Sequence, residues 1–160
     1  MKLLFATLNF IFCLHVLYAQ PGLPQRTITI QPTQDIDFGI FYVTSAGTIT
    51  VDWQGNVSTT GGVVSFSSLT AHPAIFEIKL CQGRNVTVTY VPTTTLTGSN
   101  GGSFVLNVGP TEKGVSGSTF SVNNDCNFIT TLRVGGTLEV PGSSPAGIYS
   151  GSFSMDFTQE

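Results

Sequence analysis

Phe76-Glu77-Ile78-Lys79-Leu80, then Gln82-Gly83, then Val86-Thr87-Val88-Thr89-Tyr90, is the stretch that decides the fold. Apolar residues occupy every second position on both sides of a glycine turn. Successive side chains of a strand point to opposite faces, so this alternation gives one buried face and one solvated face. Glycine admits the positive φ that a tight reversal needs. The segment therefore predicts two antiparallel strands joined by a short turn.

The same pattern extends outward in both directions. Thr27-Ile28-Thr29-Ile30 and Thr48-Ile49-Thr50-Val51 alternate before it. Phe104, Leu106 and Val108, and then Phe153, Met155 and Phe157, alternate after it. The threonines on the outer faces favour strands, because β-branched side chains fit a pleated surface. Turn signals stand between the runs: Gln54-Gly55-Asn56, Gly61-Gly62, Gly98 to Gly102, Asn123-Asn124-Asp125 and Pro141 to Pro145. No window longer than a turn has helical apolar spacing. The residues thus predict an all-β chain, a sandwich or barrel of many short antiparallel strands.

Met1 and Lys2 precede an apolar run, Leu3 to Tyr18, that ends at Ala19-Gln20. A short positive start, an apolar stretch and a small-residue exit form the pattern of a secretory signal peptide. The competing reading is a membrane anchor. The run is roughly 16 residues against the ~20 that span a bilayer, and nothing basic follows until Arg26. Cys13 inside the run raises a lipoprotein signal, but no small residue directly precedes it. The expectation is a signal peptide over 1–19, cut between Ala19 and Gln20, and a sandwich domain over 20–160 with no membrane span after processing.

Composition narrows the function. Charged residues make up 9% of the 160, against about 25% in an average soluble domain, yet 41% are hydrophobic. Six Lys+Arg against nine Asp+Glu give a net charge of −3. Nucleic-acid binding needs clustered basic residues, so no nucleic-acid partner is expected. Loss of residues 1–19 would leave two cysteines, Cys81 and Cys126. An even count in an exported chain predicts one disulfide, worth about 3–4 kcal/mol; two unpaired buried thiols are the alternative.

Chemistry-bearing residues are few. His72 has no partner histidine for a zinc site, and no Gly-x-Ser-x-Gly elbow is present, so it reads as a loop histidine beside Pro73. Asp35 and Asp37 sit at β spacing, as a carboxylate pair or as solvated residues at a strand start. Calcium would find oxygen ligands there or at Asn123-Asn124-Asp125, though without EF-hand spacing; turn formation explains them better. Asn56-Val57-Ser58 and Asn85-Val86-Thr87 match a glycosylation acceptor pattern. Trp53, beside Gln54-Gly55, is a candidate for stacking on a sugar ring, with Phe41-Tyr42 extending the platform; its alternative is a cap on the sandwich core. Neither an active site nor a cofactor is expected.

A resemblance covers almost the whole of the chain beyond the expected signal peptide. Asp35-Ile36-Asp37-Phe38-Gly39, Gly47 to Val51, Asn56, Thr60 to Val63, Ala74 to Ile78 and Val86 to Tyr90 resemble the exported bacterial family called domain of unknown function 4402. The closing segment carries it furthest: Val134-Gly135-Gly136-Thr137-Leu138, Val140-Pro141 and Pro145 to Phe153. That ending is also similar, more faintly, to spore coat protein U and fimbrial subunits. The resemblance implies an immunoglobulin-like or pilin-like sandwich exported to the cell surface. The two cysteines lie outside the matching motifs.

Together these readings predict a non-enzymatic structural or adhesive surface protein, fimbria-like in kind. It would belong to the periplasm, outer surface or medium of a Gram-negative bacterium. The alternative is a secreted module binding a glycan or another protein, with Trp53 and Tyr42 as its candidate surface; a hydrolase is the remotest reading. Fimbrial subunits donate a strand to a neighbour. The donor candidate here, Gln20 to Gln31, alternates cleanly only at Ile28 and Ile30. It is expected to be the chain's own first strand, within a self-complete monomer.

Overall fold

The computed structural model describes residues 27–66 and 70–159; the expected signal peptide over 1–19 and its expected cut between Ala19 and Gln20 lie outside the described residues. Eleven strands are present among the described residues. They are β1 (Thr27–Gln34), β2 (Phe41–Val51), β3 (Val57–Ser65), β4 (Ala74–Cys81), β5 (Asn85–Tyr90), β6 (Thr93–Gly98), β7 (Ser103–Thr111), β8 (Ser118–Ser121), β9 (Thr130–Val140), β10 (Tyr149–Ser150) and β11 (Met155–Gln159). Every pairing between them is antiparallel.

One sheet has eight strands, in the order β1-β4-β9-β7-β6-β10, with β2 and β3 added beside β9; the other is β11-β5-β8. β9 is the centre of the larger sheet. Along one edge its first half holds β4, pairing Thr130–Val134 with Ile78–Ala74. Its second half on that edge holds β2, pairing Gly136–Val140 with Val51–Gly47. β7 runs along the other edge. The chain is an antiparallel β-sandwich, as its alternation predicts.

The core follows from the period of two. Ala74, Ile78 and Leu80 of β4, Leu132, Val134 and Leu138 of β9, and Val86 and Val88 of β5 are buried. Their neighbours in sequence face out, where hydroxyls pair across strands: Thr48 with Thr60 at 2.7 Å and Thr50 with Thr137 at 2.8 Å. β1 is an intrachain strand whose Ile28 and Ile30 pack on the core opposite Leu80 and Ile78.

Three local expectations differ from the structure. Gly61-Gly62 is not a turn but the middle of β3, where the register with β2 slips between Val43 and Gly47. Gly61 has φ +62°, and a Cβ there would strike the backbone of Ala46 and Gly47, so glycine serves a bulge in the hairpin. Asp35 and Asp37 are not in a strand; they lie in the connection from β1 to β2, held by the Asp37–His72 bridge. The last alternating run enters its ladder only at Met155. At Gly151 the chain approaches β6 closely: a Cβ there would lie 2.7 Å from the Thr95 carbonyl and the Leu96 side chain.

Candidate functional site

A three-stranded sheet is narrower than the sheet it faces, at about 4.8 Å per strand. Two less regular segments cover the remainder. One is the passage from the end of β1 into β2, Gln34 to Val43; the other is Ser144 to Phe153 around β10. Between them opens a groove of about 1330 Å³. Its floor is the inner face of the large sheet: Ala74, Phe76, Leu96, Phe104, Leu106 and Leu138.

Aromatic contacts orient the groove. At one end Phe153 meets Phe76 edge-on, with ring centroids 6.5 Å apart, and Pro32 pairs with Phe76 in register. At the other end Phe41 lies 6.1 Å from Phe104, and Tyr149 stacks on Phe104 at 3.7 Å. The first wall therefore runs from the Phe76 end to the Phe104 end, and the second runs back. β10 pairs only with β6, and no ladder joins the two walls. The second wall is tied outward instead. The Asn100 side chain donates to the Ala146 carbonyl at 2.7 Å and Thr94 to that of Ser152 at 2.9 Å, while within the wall the Tyr149 hydroxyl donates to the Pro145 carbonyl at 2.7 Å.

The rim is polar at one end and apolar at the other. Asp35 and Asp37 are exposed on the first wall, and Asp37 Oδ1 accepts from the Gly39 amide at 2.7 Å. The ion pairs among the described residues, Lys113–Glu112 and Arg133–Glu112, involve neither. His72 exchanges two backbone hydrogen bonds of 2.9 Å with Asp37, and its Nδ1 is buried without a partner. At the far end Ile40, Tyr42 and Ile148 are 65%, 43% and 78% exposed, and Tyr42 lies 5.0 Å from the exposed Phe66 ring.

The residues singled out from sequence are not gathered into one place. Tyr42 begins β2 and borders the groove; Trp53 is half-buried in the turn that follows β2. Nine strand positions, Tyr42 to the end of β2 at Val51, lie between Tyr42 and the Trp53 turn, roughly 30 Å at ~3.3 Å per residue. They form no common platform. The turn around Trp53 is organised by Asp52, whose carboxylate accepts the Gln54 and Asn56 amides and the Asn56 side chain, each at 2.8 Å. Partial burial opposes its charge, but the bonds from Asn56, Gln54 and Gly55 outweigh that and hold its carboxyl below the usual range.

Cys81 and Cys126 form a disulfide, with Cα atoms 4.6 Å apart. It ties the end of β4 to the loop before β9, remote from the groove. In that loop the Asn123 and Asp125 side chains accept the amides of Asp125 and Asn127, so they build turns. Among the described residues no group of three or more His, Cys, Asp or Glu stands close enough to share a metal ion.

Sequence reasoning missed the groove. Its signal was present: Asp35 to Gly39 and Pro145 to Phe153 are dense motifs at the two ends of the domain, and they are its walls. No match to the chain was found among curated proteins or among solved structures. A family model does match, over residues 28–157, from within β1 to within β11, so both walls and the whole floor lie inside it. The chain belongs to the family described as Domain of unknown function (DUF4402).

Proposed function

We propose that this is an exported, non-enzymatic structural or adhesive surface domain that works by holding an extended segment of a partner polypeptide. The groove carries this reading. At about 1330 Å³ it exceeds the ~300–1,000 Å³ of small-ligand pockets. Its floor is apolar side chains of the sandwich core, and its walls are chain segments that pair with no strand across the gap. The floor is already buried, so an added segment would lie along the rim and cover the exposed Ile40, Tyr42 and Ile148, a form of β-augmentation. The disulfide agrees with an oxidising compartment. The likeness of the Pro145–Phe153 stretch to fimbrial subunits points the same way.

A sugar-binding role would centre on Trp53, which lies outside the groove. Trp53 is the sole tryptophan, so its emission reports that site alone. The test is a titration of the purified protein with a twelve-residue peptide of alternating threonine and valine, and separately with chito- and cello-oligosaccharides. The proposal expects peptide binding with unchanged tryptophan emission and no sugar binding. Sugar binding with shifted emission, and no response to peptide, would replace it with the glycan-binding role.

A further inference from the structure

The two sheets have five free edges among the described residues, and four of them resist an added strand. β1 carries Pro32, β11 carries Asp156, and β8 and β10 have only four and two residues. Proline removes a ladder donor, a charge opposes burial, and a short strand offers little pairing. β3 is the fifth: nine residues, with no proline and no charge over residues 57–66. The bulge at Gly61 interrupts its middle and leaves the end at Ser65 intact. The Phe66 amide donates to the Ile40 carbonyl at 2.8 Å, and Ser65 faces Phe41 one position away. Antiparallel residues alternate between bonding the partner strand and turning both backbone groups away from it, so Ser65 directs its N–H and C=O outward. On either side of Ser65, Val64 and Phe66 are 41% and 71% exposed.

We propose that the end of β3 pairs with the same strand of a second copy of this chain, antiparallel about Ser65, in a twofold dimer. Ser65 of each copy exchanges two backbone hydrogen bonds with the other. Val64 of each then stands opposite Phe66 of the other, at the closer of the two antiparallel spacings. One exposed apolar residue covers the other, twice, as an isologous contact requires. Tyr42, 5.0 Å from the Phe66 ring, and Ile40 extend the apolar strip behind them. The four side chains expose on the order of 400 Å² per copy, so two copies bring roughly 800 Å² before the strand edges are counted, near the ~1,000 Å² of a specific contact. Charge permits the contact: the chain is at −3, yet residues 40–51 and 57–66 carry no charge to face their own copy. The dimer goes beyond the strand-holding reading and does not depend on it, since the groove lies on the opposite side of β2 from β3.

Analytical ultracentrifugation of the purified protein, from micromolar to near-millimolar concentration, is the test. The mass should rise from one chain to two. Val64→Lys sets a lysine against each Phe66 and a like charge across the twofold, and should weaken the dimer by about tenfold or more. Phe66→Ser, which removes the facing ring, should weaken it independently. Melting temperatures close to the parent's at micromolar concentration show that the variants are folded. Ser58→Lys, exposed on the same strand but beyond the contact, should leave the dimer intact. A protein that stays a single chain at every concentration, or a dimer that neither Val64→Lys nor Phe66→Ser weakens, overturns the proposal. A dimer weakened as much by Ser58→Lys overturns the pairing about Ser65. None of these results bears on the strand-holding groove, which the peptide titration tests.

Discussion

The rings of Phe104 and Tyr149 stack face to face, with centroids 3.7 Å apart and planes 11° from parallel. Phe104 belongs to the floor of the groove and Tyr149 to its second wall. The pair is what seats the β10 segment at the sheet edge, since β10 itself contributes only two residues to the ladder with β6. The stack joins the hydrogen bonds from Asn100 and Thr94, and the Ser99–Ile148 bonds, in seating the second wall.

Tyr149→Ala should cost about 2–3 kcal/mol, because it removes the stacked ring and its hydroxyl bond to Pro145. The melting temperature should fall by roughly 5–10 °C. Tyr149→Phe keeps the ring and should cost about 1 kcal/mol or less. Thermal denaturation of both variants checks the order. Equal losses would mean that the hydroxyl, not the stack, holds the wall.

Gly151→Val should destabilise by about 1–3 kcal/mol, since the new side chain collides with the Thr95 carbonyl and Leu96. Ser154→Ala, exposed on the same segment, should stay within about 0.5 kcal/mol. Denaturant unfolding with equal slopes for both would attribute the difference to the folded state.

Cys81→Ser/Cys126→Ser should lose about 3–4 kcal/mol through the 45-residue loop that the disulfide closes. Alkylation of the unreduced protein should label neither thiol. Labelling of both would show that the bridge is absent from the protein in solution.

The Asp52 turn should give a pH signature. Its carboxyl sits below the ordinary value in the folded chain, so its contribution is present above about pH 4, the unfolded value. The contribution declines as pH falls through the folded value. Asp52→Ala should therefore cost about 1 kcal/mol at pH 7 and progressively less below pH 4. A cost that held constant down to pH 2 would show that the charge is irrelevant to the turn.

Much of the sheet was legible in the sequence because alternation and glycine turns are local signals. The runs around Phe76 to Tyr90 and Phe104 to Val108 became β4, β5 and β7 in phase. In β9, Val134-Gly135-Gly136 interrupts the period, so its place at the centre of the sheet depends on partners 23 to 93 residues away in sequence. Gly61-Gly62 carried the composition of a turn and serves a bulge, a distinction set by the opposing strand. The disulfide partners were found by counting, since two cysteines admit one pair. The groove was not legible, because it comes from the mismatch in width between two sheets whose strand orders no single stretch encodes. Trp53 and Tyr42 were paired by chemical type, and the length of β2 sets them apart.

The central claim is that the space between residues 34–43 and 144–153 receives a strand. Hydrogen exchange of the purified protein, with and without the alternating peptide, tests it most directly. The account predicts slowed exchange in both wall segments together, with the outer edge of β3 and the Trp53 turn unchanged. Exchange unaltered in the walls, or slowed only along an outer sheet edge, would contradict it.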